Sequence, residues 1–382
     1  MTTPPPTAPR RLWVLYVGGF MGPFGGGMVS TMLPELAEGL GTTVHGASQS
    51  ITWYLGPFAL LLLVSGTLAD RWDRATVVRV GYASYAASSV ACALVPTLPL
   101  FLGARAVQGA ANAFLTPVLI TLIVAATDRG RVGRALGGFA AAQAAGQALS
   151  PLAGGLAAGH DWRIAFVATA LAAVVLALLT PSGRPTRVPT APAAWGALLN
   201  PRLGSVTVMA ATAQLAANFV VLSAALIATD RFGLPPAQRG LVVVAFGVAG
   251  FATARLAGAW ADRFGMLAMG AVAAAVLASA TFAVQVSPAL WLLVLAVALC
   301  GATASCVRIL CTSLAIASTP TNEAGATSVT QSAQFAAGAA APAVLPLFAA
   351  SPAGAGALLA AVVIAGLVVV SLPRSHRRGR GG

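Results

Sequence analysis

The sequence predicts an all-helical membrane protein: twelve transmembrane helices in two pseudo-symmetric six-helix bundles. Three observations predict it. Of 382 residues, 58% are hydrophobic and only 8% are charged, against roughly 25% charged in a soluble domain. A water-soluble fold of this size cannot hide so much apolar surface, so its solvent is lipid. The apolar runs are long and rich in Ala, Leu, Val and Gly. They lack the alternation of outer-membrane strands and match the roughly 20 residues of a spanning helix. Finally, "GTLADRW" (Gly66 to Trp72) returns as "GAWADRF" (Gly258 to Phe264), with Asp70 and Asp262 192 positions apart (262 − 70).

Six spans fall at roughly 12–34, 48–69, 76–96, 98–125, 135–158 and 163–180, with edges good to a few residues. Six more fall at roughly 204–228, 238–261, 266–286, 289–316, 325–349 and 353–372. The domains expected are a disordered cytoplasmic N-terminus (1–11), an amino-terminal six-helix bundle (12–180), a Pro-rich cytoplasmic connector (181–203), a carboxy-terminal bundle (204–372) and a basic cytoplasmic tail (373–382). Within the connector, "AAWGALLNP" hints at a short amphipathic helix.

Arginine sorts the loops by side; the chain has no Lys. With the N-terminus inside, the inner segments hold most Arg residues and the outer ones only Arg163, Arg231 and Arg239. Basic residues favour the cytoplasmic face, which places both termini there. The repeated turn then sits at the inner end of the second span of each half. Parallel repeats related by an axis along the membrane normal hold a substrate site near the midplane between them. The net charge of +13 lies in short loops rather than on a soluble face, so a nucleic-acid partner is not expected.

Arg105 stands one or two turns into the fourth span. A charge at a helix centre costs about 2.5–3.5 kcal/mol on insertion scales. Gln108 and Asn112 share its helical face, and such a stripe is expected to front a wet cavity. Arg308 in span ten, and the amide pairs Gln143 and Gln147, Gln214 and Asn218, and Gln331 and Gln334, complete the candidate substrate cavity. Amides also serve as interhelix glue, and that alternative stays open here. Met21, Met28 and Met32 are expected to pack rather than to bind.

All nine acidic residues lie at span ends or in loops. A buried charge that is positive disfavours strongly cationic substrates and favours neutral, zwitterionic or anionic ones. The proton carrier is left to Glu35, at the outer end of span one, or Asp70. The four cysteines form no Cys-x-x-Cys and the three His are scattered, so neither metal nor cofactor is expected. With no Lys there is no Walker-type phosphate loop, and no Ser/His/Asp arrangement argues for an enzyme.

The two turns also carry a resemblance. Gly66, Asp70, Arg71, Arg74 and Arg79 resemble the loop 2–3 signature of the major facilitator superfamily, with Asp73 where a Gly is usual and Ala75 where a basic residue is usual. Gly258, Asp262 and Arg263 are its echo in the second half. "RAVQG" at Arg105–Gly109 is similar to the family's Arg-x-x-Gln-Gly element. "GQALSPLAGG" resembles the fifth-span signature of its drug–proton antiporters through Gly146, Pro151, Gly154 and Gly155, with Ser150 replacing a Gly.

The resemblance implies the family's fold over nearly the whole chain. It implies a latch at Asp70 and Asp262 and a gating helix with small residues at every fourth position (Gly138, Ala142, Gly146, Ser150, Gly154) bent at Pro151. The expected activity is proton-coupled export of small lipophilic compounds by a monomer in the cytoplasmic membrane. The alternative is import or facilitation of an organic anion or another polar metabolite. A non-transporting sensor is disfavoured, because no sizeable soluble domain is legible.

Overall fold

The computed structural model describes residues 12–69, 72–180 and 195–371. Among them the chain is helical without strands. Its first half holds α1 (Leu12–Gly27), α2 (Leu33–Gly39), α3 (Val44–Ala69), α4 (Arg74–Leu94), α5 (Leu98–Ala125), α6 (Val132–Ala158) and α7 (Arg163–Leu179). The second holds α8 (Pro201–Asp230), α9 (Pro236–Phe264), α10 (Met266–Val286), α11 (Leu290–Ser318), α12 (Glu323–Ala339), α13 (Leu345–Ala350) and α14 (Pro352–Ser371).

Ten segments are long and apolar enough to cross a membrane. The 17-residue α7 and the 27-residue α6, diluted by Gly, Ala and Gln, bring the spans to twelve. Two spans are broken rather than continuous. The first relaxes into a 3₁₀ turn at Met28–Thr31 before α2, after a run with five glycines and Pro23 between Gly18 and Gly26. The eleventh breaks at Ala341–Val344, where Pro342 cannot donate to the helix ladder. The segment "AAWGALLNP" shows only a 3₁₀ turn at Trp195–Leu198 in its described part, too short to be the helix hinted at.

The face at which α1 begins is called proximal and the opposite face distal; successive spans alternate in direction. Packing follows one rule twice. α1 lies on α6 and α7 as α8 lies on α12 and α14. α3 lies on α5 as α9 lies on α11, and α4 meets α5 and α7 as α10 meets α11 and α14. The rule holds at atomic register. A Cβ on Gly109 would collide with the Tyr54 carbonyl, and one on Gly301 with the Phe246 carbonyl. Both offsets, 301 − 109 and 246 − 54, equal the 192 of the repeated turn. Only glycine lets two backbones come so close.

Between the halves, α6 lies against α9 and α3 against α12. The contacts described there run from the distal face to mid-span. Gly155 meets the Pro236 carbonyl, Gly247 meets Ala148, and Phe58 sets its ring edge-on to Phe335. Thr52 donates to the Ala339 carbonyl and Ser332 to that of Ala59. A distal apolar plug draws Met28, Met32 and Leu36 from one half and Phe219, Leu222 and Leu345 from the other. On the proximal side, Cβ atoms placed on Gly66, Gly133 or Gly137 would meet nothing within 4 Å among the described residues. The described contacts between the halves thus reach from the distal face to mid-span, and the glycines at the proximal ends of α3 and α6 have no described neighbour, which leaves a proximal space between the halves, here called the chamber.

Candidate functional site

The small-residue stripe of α6 faces α1, not the opposite half. Gly138 meets the Tyr16 ring, Gly146 the Phe20 carbonyl and Gly154 the Met28 carbonyl. The seam with α9 uses another edge of the same helix: Ala148, Pro151 and Gly155. Small residues recur on both edges, so the stripe expected to serve as the gate packs within its own bundle and a second edge meets the other half. Pro151 has no N–H, so the Gln147 carbonyl loses its ladder partner. The Ser150 hydroxyl donates to that carbonyl at 3.0 Å, and the Thr31 hydroxyl donates to the Pro151 carbonyl at 2.8 Å. The serine that replaces the usual glycine thus repairs the break that the proline makes.

Gln147 is exposed, half-way round α6 from Leu156, which is turned outward; nine residues make about two and a half turns. That places Gln147 on the chamber side, with half-buried Gln143 one turn away. Gln331 is exposed on α12, while Gln334 is buried. Gln214 and Asn218 are half-buried and bonded to each other at 2.9 Å, beside Gly338. Arg308 is exposed in mid-helix. It lies about 140° round α11 from the outward-facing Leu295, since thirteen residues at 100° each leave that remainder.

Arg105 departs from expectation. It is fully buried, inside the amino-terminal bundle rather than along the chamber, and so is Gln108; Asn112 is buried too. The guanidinium donates to the Gly25 carbonyl at 3.2 Å, to the Ser50 carbonyl at 3.5 Å and to the Gln108 side-chain oxygen. It also lies 4.3 Å from the centre of the Tyr54 ring. Gln108 donates onward to Ser89 at 2.7 Å, and Tyr54 to the Gly22 carbonyl at 3.0 Å. The physical reason is the glycine face of α1. It leaves carbonyls bare enough to accept from a cation held inside the bundle. The second half answers this network with apolar packing: Val297 stands at the register of Arg105, and the pair Thr281 and Cys300 at that of Ser89 and Gln108.

Of the latch residues, Asp70 and Arg71 lie outside the described residues. Gly258, Asp262 and Arg263 fall in the last turns of α9, and Arg263 is exposed over the Phe264 ring. No described residue lies within 4 Å of a Cβ placed on Gly66. Asp73 has a plain structural use: it caps α4, accepting from the Thr76 N–H at 2.9 Å. Arg79 reaches the Thr180 carbonyl at 3.5 Å, and Arg74 opens α4.

The structure adds two features to those read from the sequence. Glu35 on α2 forms an ion pair with Arg239 in the first turn of α9, joining the halves at the distal face. Arg239 is buried and also donates to Thr229 at 3.0 Å. The other is an aromatic stripe on α1. Trp13 and Val17 are exposed, Phe20 and Phe24 are partly so and stack at 5.1 Å, and all four share one face turned away from the amino-terminal bundle. Their spacing of three or four residues was a signal available in the sequence; the pairing of Glu35 with a residue 204 positions away was not. Met21, Met28 and Met32 are buried, in keeping with packing. The four cysteines are buried as well.

A search for relatives adds the family. The Major Facilitator Superfamily model matches residues 15–342. A puromycin resistance protein of Streptomyces alboniger is 32% identical over 160 residues, 41% of this chain and 32% of its own length. A methylenomycin A resistance protein of Streptomyces coelicolor is 34% identical over 134 residues, 35% of this chain and 28% of its own. A putative multidrug resistance protein, MdtD, of Escherichia coli is 29% identical over 181 residues, 47% of this chain and 38% of its own. The matched segments thus span well under half the length of these relatives. Among solved structures, a bacterial homologue of the human lysosomal transporter Spinster, inward-facing and occupied, superposes with a TM-score of 0.73 at 15% identity, covering 97% of this chain and 95% of that one. The human organic anion transporter MFSD10 superposes at 0.67 with 16% identity, covering 96% of this chain and all of the other. With twelve spans, a doubled packing rule and a family model across most of its length, the chain belongs to the Major Facilitator Superfamily.

Proposed function

We propose that the protein is a secondary exporter of small lipophilic neutral, zwitterionic or anionic compounds, driven by protons through alternating access. The observation that carries this reading is the chamber between two like-packed halves, held shut distally by an ion pair and an apolar plug. Such halves rock about a central site in transporters built from repeats. The drug-resistance relatives support the direction and the class of cargo. Proximal arginines, among them Arg74, Arg79, Arg131, Arg134 and Arg202, outnumber the distal Arg163, Arg231 and Arg239. This supports a cytoplasmic proximal face in the cell's inner membrane.

In this reading the cargo wall is Gln143, Gln147, Gln214, Asn218, Gln331 and Arg308, with the α1 aromatic stripe for apolar contact. Gly66, Asp70, Asp262, Arg71 and Arg263 serve the opposite, distally open state, in which the proximal ends meet. Glu35 and Asp70 are the acids proposed for proton coupling. Purified protein in proteoliposomes tests this with a panel of fluorescent compounds. Efflux is expected to need an imposed pH gradient; movement that ignores the gradient would remove the coupling.

The second reading, uptake of an organic anion or polar metabolite, is favoured by Arg308 alone. Saturable uptake of an anion with no matching efflux would select it.

A further inference from the structure

Among the arginines whose side chains are described, Arg105, Arg239 and Arg308 invite comparison, and the first two have partners within the protein. Arg105 has carbonyls, an amide and an aromatic face. Arg239 has Glu35 and Thr229. Arg308 differs: among the described residues its guanidinium makes no hydrogen bond or ion pair, and its backbone carbonyl accepts from the Thr312 hydroxyl at 2.9 Å. It stands ten residues from the proximal end of α11, about 15 Å along the helix and so near mid-membrane.

No carboxylate among the described side chains is near to answer it. The described acids Glu35, Glu38, Asp73, Asp128, Asp161, Asp230 and Glu323 all lie at helix ends or in turns. A guanidinium at this depth is retained only where it meets water or a partner. Here it is on the chamber side of α11 and exposed.

We infer that Arg308 is the anchor for a negatively charged group on the cargo, which makes the ligand class an apolar organic acid with one carboxylate, sulfonate or phosphate. The planar fork of arginine suits each of these. Gln147 and Gln331, exposed on the facing halves, supply neutral donors and acceptors for the rest of the molecule. The Phe20 and Phe24 pair supplies an apolar surface.

The inference rests on the chamber being a cargo site, so its test reads binding rather than movement. Purified protein in nanodiscs is titrated calorimetrically with 2-naphthoate, 2-naphthamide and 2-naphthylmethylammonium, which share a ring system and differ in charge. Naphthoate is expected to bind tenfold or more tightly than the amide, the value of one charge-assisted contact, and the ammonium more weakly than the amide. Arg308→Gln is expected to erase the preference while leaving the amide unaffected. Arg308→Lys is expected to keep part of it, and the exposed Arg202→Gln to keep all of it. Equal binding of acid and amide by the wild-type protein, binding by none of the three, or a preference that survives Arg308→Gln overturns the inference. The wild-type comparison decides even if the glutamine variant fails to fold. A protein that binds naphthoate through Arg308 without gradient-driven efflux would overturn the proton-driven exporter and leave this assignment standing.

Discussion

Arg105 shows how far the meaning of a residue depends on what surrounds it. In a span it reads as a charge in search of water; in the fold it is a brace that ties α5 to α1 and α3 through carbonyls and one tyrosine ring. Removing it would leave Gln108 and those carbonyls without their donor inside a closed bundle. Breaking such a buried set is worth about 3–5 kcal/mol. Arg105→Ala is therefore expected to lower the thermal unfolding midpoint in detergent sharply. It is not expected to change the ratio of acid to amide binding, as Arg308→Gln does. An Arg105→Ala protein that melts like the wild type but loses the charge preference would return this residue to the chamber wall. The amides divide in the same way: Gln147 and Gln331 are exposed, whereas Gln108 and Gln334 are buried. Hydrophobic spacing alone does not tell them apart.

At the scale of helices, the decisive property is closeness of approach. α6 carries small residues on two edges, one laid against α1 and one against α9. Only the second lies between the halves, so the two edges are predicted to fail differently when enlarged. Gly155→Val would push a side chain onto the Pro236 carbonyl across the distal seam. The expected result is a protein that still folds but no longer closes distally. Met32, buried in the distal plug, reports this when replaced by Cys: maleimide labelling, followed by peptide mass, should rise about tenfold, since the native cysteines are buried. Gly146→Val instead drives into the Phe20 carbonyl within one bundle and is expected to lower expression and stability. Unchanged labelling in Gly155→Val would mean that this seam does not gate.

At the scale of the whole molecule, one ion pair does what no single bundle can. Glu35 and Arg239 belong to different halves, and Arg239 is almost wholly enclosed. Removing one partner of such an interfacial pair is worth about 2–5 kcal/mol, enough to move a balance between two near-equal states by more than tenfold. Glu35→Gln is expected to speed labelling of Met32→Cys, and the exchanged pair Glu35→Arg with Arg239→Glu to slow it again. Labelling indifferent to both would assign distal closure to the apolar plug alone. The complementary elements proposed for the proximal face are the two repeated turns. The balance between faces is thus set by contacts that form in one state and break in the other.

What the sequence determined by itself was local and periodic. Spans, their number, the doubled plan and the family signature all follow from runs of apolar residues and from a motif repeated at a fixed offset. These are legible because a helix in lipid must satisfy its own backbone, so each span declares itself without reference to its neighbours. Tertiary structure alone decided which charges are answered. Arg105 is satisfied by glycine carbonyls of another helix, Arg239 by a glutamate 204 residues away, and Arg308 by nothing in the described chain. Electrostatic pairing depends on distance in space, and distance in space is set by how the twelve spans assemble rather than by any one of them.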